Sequence, residues 1–151
     1  MKQSPASISD WVRTPDGDLL LVDELHNRIL VDGRDGLWVV PGKFAYPRGV
    51  AVLGTMAYIV DSWNHRVQAF QLPEWTPVFE FGGFFCPSGI AVMSGLLVVA
   101  DTNNRRLSFH APDGTPAFTY ELDGYPKRVA VNSDGNLVVQ YDDGRSETLA
   151  F

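Results

Sequence analysis

Apolar residues occur along the chain in short runs of aliphatic and β-branched side chains. Such runs, for example 50–52 and 97–99, are typical of β-strands. Turn signals separate the runs, with Pro-Asp-Gly at 15–17 and 112–114 and Ser-Asp-Gly at 133–135. No apolar stripe with helical spacing continues far without Gly or Pro. The pattern therefore predicts an all-β fold with many short strands.

The strand pattern repeats along the chain. Three copies of one segment read YPRGVAV, CPSGIAV and YPKRVAV, and their prolines, Pro47, Pro87 and Pro126, are 40 and 39 residues apart. Copies of a second segment read LLVDELHNRILV, YIVDSWNHRVQAF and VVADTNNRRLSF. A period of about 40 residues with four strands per unit is typical of a β-propeller blade.

The repeat divides a single domain, residues 1–151, into four units. The units cover approximately 8–42, 43–82, 83–122 and 123–151. The last unit has room for three strands rather than four, so the sequence predicts about four blades of four antiparallel strands with an incomplete last blade.

The units resemble the NHL repeat family over nearly the whole chain. The family's unit reads F-G, a spacer, P-x-G-[VI]-A-V, and then [VI]-x-D-x-x-N-x-R-[VIL]-x-x-F, and Phe81 to Phe109 fits this unit almost letter for letter. The first unit lacks the Pro-x-Gly opening. In the fourth unit Arg128 replaces the glycine and Gln140 replaces the aspartate, as is expected of the outer units of a repeat array. The resemblance implies an NHL-type propeller.

The number of blades raises the question of how the ring closes. NHL propellers usually close with six blades, so the resemblance implies that four units leave an apolar sheet face bare at each end, with 19–22 and 137–139 among the strands concerned. Three arrangements remain open: part of a longer propeller, pairing with a second chain, or an unusually small ring. Large exposed apolar faces favour association, so we expect a homo-oligomer.

A set of polar residues recurs in the first three units. We interpret the set as structural, with the aspartate accepting backbone N–H groups in a turn and the arginine pairing with that carboxylate. The alternative is a binding surface. The set comprises Asp23, Asn27, Arg28, Asp61, Asn64, Arg66, Asp101, Asn104 and Arg106.

Polar residues just after each proline vary from unit to unit. They are Arg48, Ser88 and Lys127, with Asp10 as the expected counterpart in the first unit. These positions begin the inner strands at the mouth of the central channel. Because the repeat does not require them, they are candidates for ligand binding.

Loops on the same face of the propeller supply further binding candidates. Aromatic and Arg side chains are frequent interface anchors, and Trp63 lies in a turn where exposure is expected. The candidates are His26, Trp63, His65, Asn103 and Arg105.

Composition and motifs narrow the classes of function. The net charge of −6 disfavours general nucleic-acid binding. There is no nucleophile elbow, phosphate loop or Cys-x-x-Cys, and Cys86 is the single cysteine. His26 and His65 alone are too few for a zinc site, so no metal or cofactor is predicted. No signal peptide or membrane-spanning run is recognisable in the sequence, which favours a cytoplasmic location and no membrane contact.

We therefore expect a non-catalytic binding or scaffold module that presents loops of one propeller face to a protein or peptide. Two alternatives remain open. One is a propeller enzyme of the amidating-lyase or lactone-hydrolase kind, with a metal in the central channel. The other is an RNA-binding NHL domain with a locally basic face.

Overall fold

The computed structural model describes residues 7–151, which form fifteen strands in four antiparallel sheets. The first blade contains β1 (Ile8–Arg13), β2 (Leu19–Asp23), β3 (Arg28–Gly33) and β4 (Gly36–Val39). The second contains β5 (Pro47–Leu53), β6 (Met56–Asp61), β7 (Arg66–Gln71) and β8 (Thr76–Phe81). The third contains β9 (Gly89–Met93), β10 (Leu96–Asp101), β11 (Arg106–His110) and β12 (Pro116–Glu121). The fourth contains β13 (Pro126–Val131), β14 (Leu137–Tyr141) and β15 (Ser146–Leu149).

Every sheet is a simple meander in which each strand pairs with the next. The 3₁₀ turns Glu24–His26, Ser62–Asn64 and Thr102–Asn104 join the second strand to the third in blades 1 to 3. The structure thus confirms an all-β propeller of four blades with a three-stranded last blade. Among the described residues, no helix has the length and apolar character needed to span a membrane.

Consecutive blades pack face to face through apolar side chains. Because side chains alternate along a strand, one set of side chains in each blade faces the preceding blade and the other set faces the following blade. In blade 2, Ile59 packs against blade 1, whereas Tyr58 and Val60 pack against blade 3. Three apolar clusters fill the three interfaces between consecutive blades, and no cluster of described residues joins blade 4 to blade 1. The blades therefore form an arc with two distinct ends.

The two ends differ in polarity, contrary to the expectation that both are apolar. In β14, Leu137 and Val139 are fully buried against blade 3, and Val138 is the side chain that points outward. Arg128 and Gln140, directly opposite each other, share the outward face with Val138. Tyr141, not Gln140 as the sequence suggested, holds the aspartate position of blade 4, because Tyr141 pairs with Pro126 as Asp61 pairs with Pro47. The difference arises because alternation buries every second residue of an apolar run. Strand 137–139 therefore presents one apolar side chain, not three.

The outward face of blade 1 has one apolar row and one mixed row, in which the exposed Arg13 and Asp32 lie beside Leu19 and Leu37. Trp11, Leu21, Leu30 and Val39 lie opposite one another across the four strands, so they share one face. Trp11 is 61% exposed and Val39 49% exposed, together with Leu37 at 63%. The end of the arc formed by blade 1 is therefore the more apolar of the two, although it is not the wholly apolar face that was expected.

Candidate functional site

One end of the propeller carries the three 3₁₀ turns and the segments that lead into the inner strands; we call it the turn face (24–27, 45–48, 62–65, 84–88, 102–105 and 123–127). The backbone fixes these segments to each other. Trp63 N–H donates to Ala45 O at 3.0 Å, and Asn103 N–H donates to Phe85 O at 3.1 Å. Loops held in this way form a rigid platform for binding residues.

A buried carboxylate organises each 3₁₀ turn. Asp61 is fully buried, and its oxygens accept hydrogen bonds from Ala45 N–H at 2.7 Å, Arg66 Nε at 2.8 Å, Asn64 Nδ2 at 3.0 Å and Gln68 Nε2 at 3.0 Å. The carboxylate thus ties the turn to the segment before the inner strand. Both carboxylate oxygens of Asp61 are therefore hydrogen-bonded inside the protein, and neither is exposed to solvent.

The equivalent network of blade 1 uses different residues. His26, one of the binding candidates, places Nδ1 2.8 Å from Asp23 Oδ1, the position that Asn64 and Asn104 occupy in the next two blades. Burial disfavours ionisation of Asp23, but the bonds from His26, from a backbone N–H and from Arg28 outweigh it and hold the pKa of Asp23 below its usual value.

Asn27 does not bind Asp23 but connects blade 1 to blade 2. Its Oδ1 accepts the Tyr46 N–H of the next blade at 2.7 Å, and His65 Nδ1 accepts the Cys86 N–H at 3.0 Å in the same way. The candidate His65 is therefore engaged with the backbone of blade 3. At the third such position the candidate Arg105 has no acceptor atom, and its guanidinium instead lies 5.6 Å from the centre of the Tyr125 ring.

Inner-strand candidates meet at the mouth of the channel. Ser88 Oγ donates to Lys127 O at 2.8 Å, and Ser9 Oγ lies 3.4 Å from Arg48 O in the same relation between blades. Ser9, not Asp10, is thus the counterpart of Ser88 in blade 1.

Asp10 instead occupies the register of Gly49, since Asp10 lies opposite Val22 as Gly49 lies opposite Val60. The position of Gly49 is tight: a Cβ there would stand 3.2 Å from Gly89 Cα. The carboxylate of Asp10 accepts the N–H of Val50, on the inner strand of the next blade, at 3.1 Å.

Asp10 also links the two ends of the arc. Arg128, which lies on the inner strand of blade 4, places Nη1 3.7 Å from Asp10 Oδ1. Burial raises the pKa of Asp10, and the N–H groups of Val50 and Trp11 and the charge of Arg128 offset part of this rise. The pair joins blades 1 and 4, which share no apolar core cluster among the described residues.

The channel holds a cavity of about 360 Å³ whose polar lining includes Asp10, Arg48, Ser88 and Arg128. A smaller cavity of about 180 Å³ at the mouth shares Arg48, Ser88 and Arg128 and adds Lys127. The structure therefore brings together all four inner-strand candidates. Away from the mouth, the wall of the channel is apolar and is formed by aliphatic residues of the inner strands.

Exposed aromatic side chains also lie on the turn face. Trp63 is 63% exposed and stacks on Tyr46 at 4.9 Å between ring centroids. Phe85 and Tyr125 are also exposed on the turn face. The sequence pattern did not single out Tyr46, Phe85 or Tyr125, although Tyr46 and Tyr125 share the position before the repeated proline. The candidate Asn103 is exposed on the turn of blade 3.

The described residues include few side chains that could bind a metal ion or form a basic surface. Within residues 7–151, no three His, Cys, Asp or Glu side chains stand together in a way that could hold a metal ion. Two arginines that an RNA-binding face could use are engaged with carboxylates: Arg66 with Asp61 and Arg106 with Asp101, both at 2.8 Å.

Comparison with solved structures supports the propeller fold. No family model and no curated protein matches the chain. Among solved structures, hydrazine synthase of Kuenenia stuttgartiensis is 19% identical with a TM-score of 0.75, and the match covers 94% of this chain and 44% of that one. A catalytically inactive virginiamycin B lyase of Staphylococcus aureus with quinupristin is 13% identical with a TM-score of 0.77, covering 100% and 58%. A streptogramin B lyase is 17% identical with a TM-score of 0.75, covering 99% and 57%. These likenesses show the propeller fold, and the chain spans about half the length of the structures it matches.

Proposed function

We propose that this protein is a binding module built of NHL-type blades, which holds a peptide segment of another protein on its turn face. The observation that carries the proposal is the set of exposed aromatic side chains, Trp63, Phe85 and Tyr125, on the same turn face as the polar mouth of the channel. Aromatic residues on a rigid support are frequent anchors of protein interfaces.

The NHL assignment rests on the repeat itself. Asp61 and Asp101 bind the same three kinds of group: a backbone N–H of the segment before the inner strand, an Asn amide and an Arg Nε. The D-x-x-N-x-R spacing thus has the same structural role in two blades, which supports treating the units as one repeat type that resembles the NHL unit.

The alternatives find less support among the described residues. A metal-dependent enzyme would need a cluster of ligands in the channel, where Arg48, Arg128 and Ser88 contribute cations and a hydroxyl instead. An RNA-binding face would need an extended row of free cations; Arg66 and Arg106 are paired with buried carboxylates, and the cations left at the channel mouth exceed the nearby carboxylates by one charge in a chain of net charge −6.

A peptide display experiment tests the proposal. A random peptide library is selected on immobilised protein, and the affinities of the selected peptides are measured by isothermal titration calorimetry. Trp63→Ala and Phe85→Ala should each weaken binding about tenfold or more, because buried aromatic anchors contribute on the order of 2 kcal/mol.

Val78→Ala is the matched control, since Val78 is 54% exposed on the outer strand β8, away from the turn face. It should leave affinity unchanged. If selected peptides bind Trp63→Ala and Phe85→Ala as tightly as the unaltered protein, the turn face is not the binding surface.

A further inference from the structure

The channel beneath the turn face combines two kinds of surface. Its wall is apolar, with Val12, Val52 and Val92 partly exposed toward the cavity. Its mouth is charged. A ligand that is complementary to both surfaces must have an apolar part and a polar group. The charges at the mouth determine whether that polar group is anionic or cationic.

Cations outnumber anions at the mouth. Arg48, Lys127 and Arg128 contribute three positive charges, against the carboxylates of Glu24 and Asp10. The excess is one positive charge, in a chain whose net charge is −6. A local positive excess in a partly enclosed cleft attracts a single anionic group.

The existing ion pairs at the mouth are loose. Arg48 Nε lies 3.6 Å from Glu24 Oε2, and Arg128 Nη1 lies 3.7 Å from Asp10 Oδ1, both longer than a charge-assisted hydrogen bond. Lys127 has an exposed side chain with no ion pair among the described residues. These three cations therefore retain donors for an incoming anion.

Size limits what the apolar part of the ligand can be. A cavity of about 360 Å³ is at the lower end for small-molecule sites, which begin near 300 Å³. Such a volume accommodates one large side chain rather than a folded segment or several residues. The aromatic residues of the turn face lie outside this cavity and remain available for the rest of a peptide.

Given the proposed peptide-binding function, on which this step rests, the geometry points to a ligand that ends in the channel: a peptide C-terminus whose apolar last side chain enters the cavity and whose carboxylate binds Arg48, Lys127 and Arg128. The shared chemistry is a carboxylate carried on an apolar group. A free carboxylic acid of similar size presents the same chemistry, and the experiment separates the two sources.

Four probes test the inference by calorimetry with the full chain. They are the peptide acetyl-Ala-Ala-Ala-Phe as a free acid, the same peptide as a C-terminal amide, the free-acid peptide with Ser in the last position, and 3-phenylpropanoate. The free-acid Phe peptide should bind at least about tenfold more tightly than the amide or the Ser peptide, because the amide lacks the charge and Ser lacks the apolar group.

Charge variants locate the carboxylate. Lys127→Gln and Arg128→Gln should each reduce affinity for the free-acid Phe peptide about tenfold, and Arg128→Lys should retain most of it. Arg34→Gln, on the exposed turn between β3 and β4, is the charge-matched control and should have no effect. Equal affinity for the acid and the amide, or equal losses in Lys127→Gln and Arg34→Gln, would overturn the inference.

The outcomes also separate this inference from the proposed function. If acid and amide bind equally and Trp63→Ala abolishes both, the turn face binds peptides and the carboxylate site is wrong. If 3-phenylpropanoate binds as tightly as the Phe peptide and Trp63→Ala has no effect on either, the carboxylate site is upheld and its ligand is a free acid. Failure of every probe to bind would refute the carboxylate site, while the library selection would still test the turn face.

Discussion

At the scale of single residues, the buried aspartates determine the stability of the turns. Asp61 accepts four hydrogen bonds, one of them from the guanidinium of Arg66. Asp61→Ala leaves those donors without their acceptor, and the expected loss in free energy of unfolding is about 3 kcal/mol. Chemical denaturation monitored by circular dichroism measures it.

A surface aspartate provides the comparison for this loss. Asp134 is exposed in the turn between β13 and β14, and Asp134→Ala should change stability by less than about 0.5 kcal/mol. If Asp61→Ala keeps the stability of the unaltered protein but no longer binds peptide, the repeated aspartate serves binding and its structural interpretation is wrong.

His110 makes stability depend on pH. It is buried beside Phe81 and Phe84, its Nε2 lies 2.7 Å from Ser108 Oγ, and burial lowers its pKa below the ordinary 6.5. The unfolded chain therefore binds a proton at a higher pH than the folded protein does. The contribution of neutral His110 is complete above pH 6.5 and is lost as the pH falls below it.

His110→Gln is the variant that isolates this effect, because Gln keeps a donor and an acceptor but does not titrate. When the pH is lowered from 7.5 to 5.5, the denaturation midpoint of the unaltered protein should decrease more than that of His110→Gln. Equal decreases in the two proteins would show that His110 does not bind its proton more weakly in the folded state.

The sequence could predict the aspartates but not every partner. Asp23, Asp61 and Asp101 are 38 and 40 residues apart, and an arginine follows each of them five residues later, so the repeat alone identified them. In blade 1 the adjacent polar residues His26 and Asn27 both suit the turn, and residue type does not decide between them. The structure assigns His26 to the aspartate and Asn27 to the next blade.

At the scale of elements, each 3₁₀ turn ends in a residue with a left-handed backbone. Asn27, His65 and Arg105 have φ of 53°, 55° and 50°. Asn tolerates this conformation better than most residues do, and both Asn27 and His65 accept an N–H from the following blade. Arg105 has neither advantage, because it lacks an acceptor and an intrinsic preference for positive φ.

Arg105→Asn should therefore stabilise the protein by about 1 kcal/mol, through relief of backbone strain and a new acceptor for the N–H of Tyr125. Arg105→Ala removes the same side chain but provides neither benefit, so it should not stabilise. Thermal denaturation of both variants tests the turn, and equal melting temperatures for the Asn and Ala variants would contradict this explanation.

At the scale of the whole molecule, the repeat predicted blades and their order but not the character of the two ends. An apolar run such as 137–139 appears uniformly hydrophobic in the sequence, and which of its residues faces outward depends on register. Likewise Asp10 and Arg128 are far apart in the chain, and only the curvature of the arc brings them across one channel. Long-range pairs of this kind leave no local signal in a single sequence.

The asymmetry of the ends determines the expected mode of self-association. The outward face of blade 1 exposes Trp11, Leu37 and Val39 beside Arg13 and Asp32, whereas the outward face of blade 4 carries Arg128 and Gln140 with the single aliphatic Val138. Burying apolar area contributes about 25 cal/mol per Å², so two blade 1 faces gain more by meeting each other than by meeting blade 4. We therefore expect a two-fold symmetric dimer through blade 1, not a ring joined head to tail.

Sedimentation equilibrium tests this expectation at micromolar concentration against the monomer mass of 16.7 kDa. Leu37→Asp and Val39→Asp place a charge in the proposed interface and should shift the protein to monomer. Val138→Asp places the same charge on the outward face of blade 4, where head-to-tail joining would bury it, and should leave the dimer intact. Dissociation by Val138→Asp as well would require contact between blade 4 and blade 1 of neighbouring chains, and a monomer in every case would mean that the apolar face of blade 1 does not bind a second copy.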